Sequence, residues 1–341
     1  MAVAVVAVAA AGCGKSSSDS AGTTKDGKYA GKGIGLAYDV GGKGDQSFND
    51  AAYAGFQKAE QEFKIGGRDI EPQDGESDAD KVQRLETLAK QGYNPIIGVG
   101  YSYAPAVKEV SVKYPKVTFG IIDDDTITEK NVADMVFHEE QSSYLAGVAA
   151  AMTTKKNHIG FIGGVDTPLI HKFEAGYVQG AQSVNPKIKI EKQYLTETAA
   201  EGGFSSPDKG ENAADGQIEA GVDVVYQAAG LSGQGVIKSA AGHKVWAIGV
   251  DSDQYEQGAL AQYKDYILGS ALKNVGGAVY DLAKSVVDGK PLSGEVRGDL
   301  TSGGVGFADT NPKYQAMKDV VSAVDKAKQD IIDGKITVRT Q

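Results

Sequence analysis

The sequence predicts an α/β fold made of two similar lobes, each a doubly wound and largely parallel sheet covered by helices. Short apolar segments alternate with amphipathic helical segments from residue 32 onwards, and this alternation is typical of parallel strands joined by right-handed crossovers. The segments form two successive series without a linker-like stretch between them. A chain of 341 residues is long enough for two domains with separate cores.

The first series begins with a strand at 33–39 and a helix at 48–62, on which Ala52, Phe56 and Ala59 recur at helical spacing. It continues with a weak strand at 68–73, a helix at 79–91, a strand at 95–99, a helix at 104–113 and strands at 117–122 and 132–138.

The second series predicts helices at 141–152, 170–183, 209–220 and 236–241, with strands at 158–163, 187–194, 222–228 and 245–250. After it, the pattern predicts a helix at 272–287, a strand at 303–307, a helix at 314–333 and a short final strand at 335–339.

Composition narrows the class of protein. Glycine is abundant, with 45 residues, which suits the short turns of an α/β fold. The net charge is −10, and acidic and basic residues are interspersed without a basic cluster. Since contacts to phosphates need a concentrated Lys/Arg surface, nucleic acid is not an expected partner.

The only cysteine, Cys13, excludes an internal disulfide and a multi-cysteine metal site. It follows an apolar run at 2–11 that is too short to span a bilayer and is similar to a bacterial lipoprotein signal. We therefore expect a signal peptide at 1–13, with lipid attached to Cys13, and a flexible tether at 14–31 that is rich in Ser, Gly, Thr and Lys. The alternative is a buried cysteine in an ordinary N-terminal strand.

The loop at 39–49 carries polar and aromatic side chains between a strand and a helix. In open α/β sheets, ligands bind outside the carboxyl ends of the strands. Asp39 and Asn49 are suited to hydrogen bonds with a ligand, and Phe48 is suited to stacking on a planar group. The alternative is that Ser47 and Asn49 cap the helix while Phe48 packs inward. These residues alone do not decide between the two interpretations.

Other candidate residues also lie at strand ends or crossovers. Asp123 begins a run of three aspartates, which predicts a solvated acidic loop with at most one side chain facing a cleft. Asp251 follows a strand directly, and Lys273 stands near the start of a predicted helix. Gly230 belongs to a glycine-rich turn whose spacing differs from the dinucleotide fingerprint, and we interpret it as a place for close backbone approach.

Motifs for catalysis are not found in the sequence. The histidines are scattered, and none has metal-ligand spacing to another His or Cys. The chain has no G-x-S-x-G elbow, Walker A loop or kinase motif set. We therefore expect a protein that is not an enzyme and that carries no metal or cofactor.

Several segments together resemble the basic membrane protein family of purine-nucleoside-receptor-like lipoproteins. They are Asp39-Val-Gly-Gly, DQSFN at 45–49, YLAGVAA at 144–150, IGFIGG at 159–164, AAG at 228–230, IGVDSDQ at 248–254 and SALK at 270–273. The resemblance implies a type I periplasmic-binding fold, in which two Rossmann-like lobes are joined by three crossings. It implies one lobe at 32–138 and about 274–295, and a second at 139–273 and about 296–341.

The resemblance also implies the site and the function. Asp39 and Asn49 match hydrogen-bonding positions, Phe48 and Phe204 match stacking rings, and the other matched positions are Asp123, Gly230, Asp251 and Lys273. It implies a monomeric lipoprotein, anchored on the extracytoplasmic face of the membrane, that delivers nucleosides to the permease subunits of an ABC importer. A site with three aspartates and one lysine would disfavour phosphates, so we expect nucleosides rather than nucleotides.

Other functions remain open at this point. A sugar or signalling-molecule receptor could use the same fold. A dehydrogenase-like enzyme is disfavoured by the missing dinucleotide fingerprint. The effector domain of a cytoplasmic regulator is also possible, although no helix-turn-helix segment precedes residue 30.

Overall fold

The computed structural model describes residue 29, residues 31–73 and residues 75–341. The predicted signal peptide, the lipidated Cys13 and nearly all of the predicted tether lie outside these residues. Within the described part of the chain, no helix combines the length and apolar character needed to cross a membrane.

Two six-stranded sheets form the framework of the fold. The first has the strand order β11-β5-β4-β3-β1-β2, and all of its pairs are parallel. Its strands are β1 Gly33–Ala37, β2 Gly66–Ile70, β3 Ile96–Gly98, β4 Phe119–Ile122, β5 Val132–Phe137 and β11 Gly294–Gly298.

The second sheet has the order β12-β10-β9-β8-β6-β7, and only the pair formed by β10 and β12 is antiparallel. Its strands are β6 His158–Val165, β7 Lys189–Thr196, β8 Val224–Ala228, β9 Trp246–Asp251, β10 Ile267–Lys273 and β12 Val305–Phe307. The predicted α/β class with two largely parallel sheets is therefore confirmed.

Helices cover both faces of each sheet, which is why the central strands are buried along their whole length. The α-helices are α1 Phe48–Phe63, α2 Asp78–Lys90, α3 Ala104–Lys113, α4 Glu139–Thr153, α5 Pro168–Val184, α6 Pro207–Glu219, α7 Gly233–His243, α8 Val275–Val287, α9 Pro312–Ala316 and α10 Lys318–Ile332. We call the first sheet and its helices lobe 1, and the second sheet and its helices lobe 2.

The chain passes between the sheets three times. It leaves the first sheet after β5, returns to it between β10 and β11, and leaves it again between β11 and β12. We propose that lobe 1 comprises 32–138 and 274–298, and that lobe 2 comprises 139–273 and 299–341. The boundary expected near residue 295 falls within β11, which pairs with β5 along its whole length.

The structure corrects the predicted elements in the C-terminal part of the chain. Strands β10 and β11 were not predicted, because β10 contains Gly269 and Ser270 and runs almost directly into α8, and because β11 is a partly exposed edge strand with one large apolar residue. Lys273 is the last residue of β10 and does not lie in a helix. The strand predicted at 335–339 is wrong, since these residues form no regular secondary structure.

Candidate ligand-binding site

A cavity of about 550 Å³, measured to its open mouth, lies where the carboxyl ends of the two sheets face each other. Every site residue expected from the sequence lines it: Asp39, Phe48, Asn49, Asp123, Phe204, Gly230, Asp251 and Lys273. Residues from positions 39 to 273 along the chain are thus brought to one place.

Asp45 shapes the loop that leads into α1. Its carboxylate accepts hydrogen bonds from the backbone N–H groups of Ser47 at 2.9 Å, Asn49 at 2.8 Å and Asp50 at 3.1 Å. Burial raises the pKa of Asp45 to about 6, while these donors lower it. Ser47 precedes the helix but its side chain makes no capping hydrogen bond. Asp45 therefore satisfies the free N–H groups at the start of the helix.

Asp39 and Asn49 are fixed next to each other at the end of β1. The Asp39 N–H donates to Oδ1 of Asn49 at 3.3 Å, and Nδ2 of Asn49 donates to Asp45 at 3.1 Å. Oδ1 of Asp39 accepts from Ser102 Oγ at 2.7 Å and from the Val40 N–H at 2.8 Å. Burial raises the pKa of Asp39, against the effect of these two donors. Oδ2 of Asp39 accepts no hydrogen bond from the described residues.

Gly100 makes room for the Asp39 carboxylate. Its φ of +98° is in the region that favours glycine, and a Cβ at this position would lie 2.1 Å from Oδ2 of Asp39. A larger residue here would displace the carboxylate, so the glycine allows Asp39 to lie against this turn.

An ion pair joins the two lobes across the cavity. Nζ of Lys273, on lobe 2, lies 2.7 Å from Oδ2 of Asp123, on lobe 1, and 3.7 Å from Oδ1 of Asp251. The three side chains are 3%, 4% and 8% exposed. Asp123 and Asp251 have φ values of +68° and +61°, an uncommon conformation for non-glycine residues that places their side chains at the cavity.

In this charged group, two carboxylate oxygens lack hydrogen-bond donors from the described residues. Burial alone would lower the pKa of Lys273, but Asp123, Asp251 and Glu139 raise it above its ordinary value, and the amine stays charged. Burial raises the pKa of Asp251, and Lys273 opposes this. Oδ1 of Asp123 and Oδ1 of Asp251 are both buried without a hydrogen-bond partner among the described residues. Such acceptors are costly unless a ligand supplies donors.

Aromatic rings form much of the remaining surface. Nζ of Lys273 lies 4.7 Å from the centre of the Phe48 ring and 5.4 Å from that of Phe173. Phe204 lines the cavity from the loop before α6. Gly230 has a φ of +55°, and a Cβ there would lie 3.2 Å from the carbonyl oxygen of Phe204. The turn at Gly230 thus lies close to the backbone of the Phe204 loop.

The loop at 39–49 also contacts lobe 2 directly. Ser47 Oγ donates to the carbonyl oxygen of Val250 at 2.9 Å and to Oδ2 of Asp251 at 3.0 Å. Ser252 Oγ donates to the Ser47 carbonyl at 2.8 Å, and Gln254 Nε2 donates to the Gln46 carbonyl at 3.1 Å. The two lobes therefore contact each other through this loop, and we call this the closed arrangement. In the alternative in which Ser47 and Asn49 cap the helix while Phe48 packs inward, the part assigned to Ser47 is wrong, because its side chain makes no capping hydrogen bond.

Of the three consecutive aspartates, only Asp123 lines the cavity. Asp124 accepts hydrogen bonds from Thr126, and Asp125 pairs with Arg297 at the surface. This confirms the expectation that at most one of them faces a cleft. Among the described residues, no group of three or more His, Cys, Asp or Glu side chains could hold a metal ion.

Sequence reasoning missed several lining residues, namely Val40, Asp45, Gly100, Tyr101, Leu169, Ile170, Phe173, Ala228 and Val250. Gly100 and Tyr101 directly follow a predicted strand, so their position at a strand end could have indicated them. Phe173 lies on α5 at a spacing that equally suits a core residue, and nothing in the local pattern distinguishes the two roles.

The fold and the site define a two-lobed ligand-binding protein of the type I periplasmic-binding class, with its ligand cavity between the lobes. A family model described as ABC transporter substrate-binding protein PnrA-like, the Bmp family, matches residues 34–341. The chain belongs to this family and is an ABC transporter substrate-binding protein.

Similar proteins agree with this assignment. The ABC transporter nucleoside-binding protein BmpA of Lactococcus lactis is 39% identical over 320 residues, covering 89% of this chain and 88% of the relative. An uncharacterized lipoprotein of Pyrococcus horikoshii is 34% identical, covering 81% of this chain and 68% of the relative. The crystal structure of a solute-binding protein from Aeropyrum pernix K1 has a TM-score of 0.78 at 27% identity, covering 91% of this chain and 93% of that one.

Proposed function

We propose that this protein binds nucleosides, and purine nucleosides in particular, in the cavity between its lobes and delivers them to the permease subunits of an ABC importer. One observation carries the proposal: the same cavity combines phenylalanine rings with buried carboxylate oxygens that accept no hydrogen bond from the part of the chain that the structure describes. A nucleoside has a flat base that stacks on such rings and a ribose whose hydroxyl groups donate to such oxygens.

The rings and the acceptors have separate roles in this proposal. Phe48 and Phe204 stack on the base, each contributing about 1–3 kcal/mol, the value found for bases stacked on aromatic side chains. Asp123 and Asp251 accept hydrogen bonds from ribose hydroxyls, and Lys273 donates to an acceptor on the ligand. Asp39 and Asn49 bind polar groups of the base. The similarity to the Lactococcus protein, which is named as a nucleoside-binding protein, supports this choice of ligand.

The charge of the cavity selects against nucleotides. Asp39, Asp123 and Asp251 face one ammonium group, that of Lys273. A phosphate would bring further negative charge next to three carboxylates that have one ammonium group between them, and like charges at close range in a buried site are strongly unfavourable.

The same proposal includes the cellular setting. We infer that lipid on Cys13 anchors a monomeric protein to the extracytoplasmic face of the membrane, and that residues 14–31 serve as the tether. The apolar run before Cys13 and the lipoprotein name of the Pyrococcus relative support this inference. Membrane fractionation tests it: the full chain should sediment with membranes, and retention of a Cys13→Ser variant there would contradict a lipid anchor.

Calorimetric titration of the chain starting after Cys13 tests the choice of ligand. The protein is first unfolded and refolded to remove any co-purified ligand, and is then titrated with adenosine, guanosine, inosine, uridine, ribose and AMP. We expect saturable binding of purine nucleosides and no response to AMP. Binding of ribose alone would favour a sugar receptor, and silence from the whole panel in a folded protein would refute the nucleoside proposal.

A further inference from the structure

Two glutamine side chains, those of Gln227 and Gln254, form a buried polar pair in lobe 2. Gln227 lies on β8 and Gln254 follows β9, and both residues are 0% exposed. Nε2 of Gln227 donates to Oε1 of Gln254 at 2.8 Å. Neither residue lines the ligand cavity. Since buried amides are kept only where their polar groups are bonded, the partners of this pair indicate its role.

Backbone groups fix the orientation of both amides. Oε1 of Gln227 accepts from the Ala229 N–H at 3.0 Å, and Oε1 of Gln254 accepts from the Val250 N–H at 3.2 Å. Because a backbone N–H can only donate, each of these amides must turn its oxygen towards it. Nε2 of Gln254 is thereby directed at lobe 1, where it donates to the carbonyl oxygen of Gln46 at 3.1 Å.

Contacts within lobe 2 hold Gln254 in this position. Its N–H donates to Ser270 Oγ on β10 at 3.0 Å. A Cβ at Gly249 would lie 2.5 Å from Oε1 of Gln254, and a Cβ at Gly233 would lie 2.1 Å from Oε1 of Gln227. Side chains at these two positions would therefore displace the amides. The direction of the Gln254 amide is set inside lobe 2 and does not depend on lobe 1.

The acceptor on lobe 1 is held in the same way. Gln46 has a φ of +56°, which is uncommon for a residue other than glycine. Its N–H donates to Oδ2 of Asp50 at 2.9 Å, and the N–H of Ser47 donates to Oδ1 of Asp45 at 2.9 Å. The peptide group that carries the Gln46 carbonyl is therefore fixed by contacts within lobe 1.

The hydrogen bond between Gln254 and Gln46 thus joins a donor fixed in lobe 2 to an acceptor fixed in lobe 1. No group of a ligand takes part in it. Since neither partner has to be ordered when the lobes meet, little conformational entropy is lost in forming it. The hydrogen bond therefore favours closure of the protein whether or not the cavity is filled.

We propose that Gln254 is a positioning residue that holds the lobes together with or without ligand, and that Gln227 keeps its amide directed at lobe 1. Part of the ligand-free protein is then closed, and bound ligand is released more slowly. Gln227 also bonds the Ala229 N–H, next to Gly230 in the cavity wall, so the pair links this wall to the contact between the lobes. The proposal rests on the proposed function only in using a nucleoside as the ligand that is released.

Gln254→Glu tests this role because it replaces the amide NH₂ group by an oxygen of the same size. The carboxylate still accepts from Val250 and Gln227, but its second oxygen faces the Gln46 carbonyl. Two acceptors at this distance repel each other, and the hydrogen bond between the lobes is lost. We expect the ratio of closed to open molecules to fall by about tenfold or more.

Spin labels measure this ratio without ligand. Labels at Ala79→Cys and Glu197→Cys occupy exposed positions beyond β2 and β7, the edge strands farthest from the crossings. In the chain starting after Cys13, no other cysteine is present. The unaltered chain should show a short distance in part of the population, and Gln254→Glu should lose most of it. A ligand-free chain that shows only the long distance, or an unchanged ratio in Gln254→Glu, would overturn the proposal.

Gln217→Glu is the matched control. Gln217 on α6 is also buried, and its Nε2 donates to the carbonyl oxygen of Phe161 at 3.0 Å, within lobe 2. The same replacement should lower the melting temperature and leave the ratio of closed to open molecules unchanged. If Gln217→Glu opened the lobes as much as Gln254→Glu, the effect would come from the stability of lobe 2, and the proposal would fail.

Stopped-flow measurements with inosine give the consequence for the ligand. Release should be faster in Gln254→Glu, by about the factor by which the ratio of closed to open molecules falls, and unchanged in Gln217→Glu. Unchanged release in Gln254→Glu would contradict the proposed role. If the label distance responds to Gln254→Glu while inosine does not bind, only the nucleoside assignment fails.

Asp50→Ala decides the question if the buried carboxylate of Gln254→Glu prevents folding. It removes the acceptor that holds the Gln46 N–H on lobe 1 and leaves lobe 2 unaltered. The short distance should become rarer, by about two- to tenfold, the equivalent of one net hydrogen bond. Asp319→Ala, which removes an acidic residue from the first turn of α10, should have no effect. Equal distances in both variants would refute the role of the contact between Gln46 and Gln254.

Discussion

The two walls of the cavity differ in chemistry. Lobe 1 contributes mostly polar side chains, namely Asp39, Asp45, Asn49, Tyr101 and Asp123. Lobe 2 contributes mostly apolar ones, namely Leu169, Ile170, Phe173, Phe204, Ala228 and Val250. Each wall has exceptions: Val40 and Phe48 on lobe 1, and Asp251 with Lys273 on lobe 2. The difference suggests that one lobe orients the polar groups of a ligand while the other covers its apolar surface.

The polar residues of the two walls are held in place by different contacts. Asp39 is fixed by Ser102 and its own loop, within lobe 1. The pair formed by Asp251 and Lys273 is completed across the cleft, because Asp123 and Ser47 of lobe 1 bind to it. Most of the polar wall is therefore formed before closure, whereas the polar group of lobe 2 depends on closure.

The largest effect is expected from Lys273→Met, which makes the lobe 2 wall almost entirely apolar. Removing one partner of a buried ion pair costs about 3–5 kcal/mol, and this change leaves Asp123 and Asp251 without their cation. We expect nucleoside affinity to fall by about 100-fold or more, since each 1.4 kcal/mol is about tenfold. Calorimetric titration measures the loss, and thermal unfolding shows whether the variant is folded.

Lys192→Met is the matched control. This lysine is about half exposed and pairs with Glu174 on the outside of lobe 2, and surface pairs of this kind contribute about 0–1 kcal/mol to stability. Its affinity should equal that of the unaltered chain. If Lys273→Met also bound normally, the ammonium group would have no part in ligand binding and the comparison of the walls would lose its main exception.

Much of the fold was predictable because the spacing of apolar residues within a segment, and the order of the segments, can be read directly from the sequence. Strands β1, β6, β8 and β9 are apolar segments of the right length between turns, and α1 has apolar residues at helical spacing. Strands β10 and β11 were not predictable in the same way. Strand β11 is stabilised as an edge by pairing with β5, from which it is distant in sequence. The third crossing of the chain therefore came from the family resemblance and not from the local pattern.

The two walls also differ in how well their residues can be predicted from the sequence. Polar residues at the carboxyl ends of strands, such as Asp123 and Asp251, are recognisable because parallel strands place these ends at one edge. The apolar wall is not recognisable, since Ile170 and Phe173 repeat at the spacing of a core-facing helix. The left-handed conformations of Asp123 and Asp251 are likewise set by tertiary structure.

An intermediate effect is expected from Phe48→Ala, which removes the aromatic exception on lobe 1. Loss of one ring stacked on a base costs about 1–3 kcal/mol, or about 5–150-fold in affinity. Phe173→Ala on lobe 2 should cost less if that ring only covers the ligand, and calorimetric titration of both variants ranks them. An equal or larger loss for Phe173→Ala would transfer the stacking role to lobe 2.

Phe63→Ala controls for the loss of an aromatic ring from the same helix. Phe63 is the last residue of α1, and its ring centre lies 5.1 Å from that of Tyr280, away from the cavity. This variant should lower the melting temperature without changing nucleoside affinity. A comparable loss of affinity in Phe63→Ala would attribute the Phe48 effect to the stability of α1.

The smallest effect is expected from Ser47→Ala, which removes a hydrogen-bond donor between the walls. Ser47 Oγ donates to the Val250 carbonyl and to Asp251, both on lobe 2. A net hydrogen bond contributes about 0.5–1.5 kcal/mol, so affinity should fall by about two- to tenfold. The contact exists only when the lobes are closed, and stopped-flow measurements should therefore show faster release with little change in association.

Ser183→Ala removes a serine hydroxyl that donates within a single helix, to the carbonyl oxygen of Gly180 at 2.7 Å. It should leave both rate constants unchanged, because this hydrogen bond is the same in open and closed arrangements. If Ser47→Ala slowed association instead of accelerating release, the loop would act by shaping the open lobe 1 wall. The contact of Ser47 with lobe 2 would then not retain the ligand. Retention would depend instead on the contact of the Asp251 and Lys273 pair with Asp123.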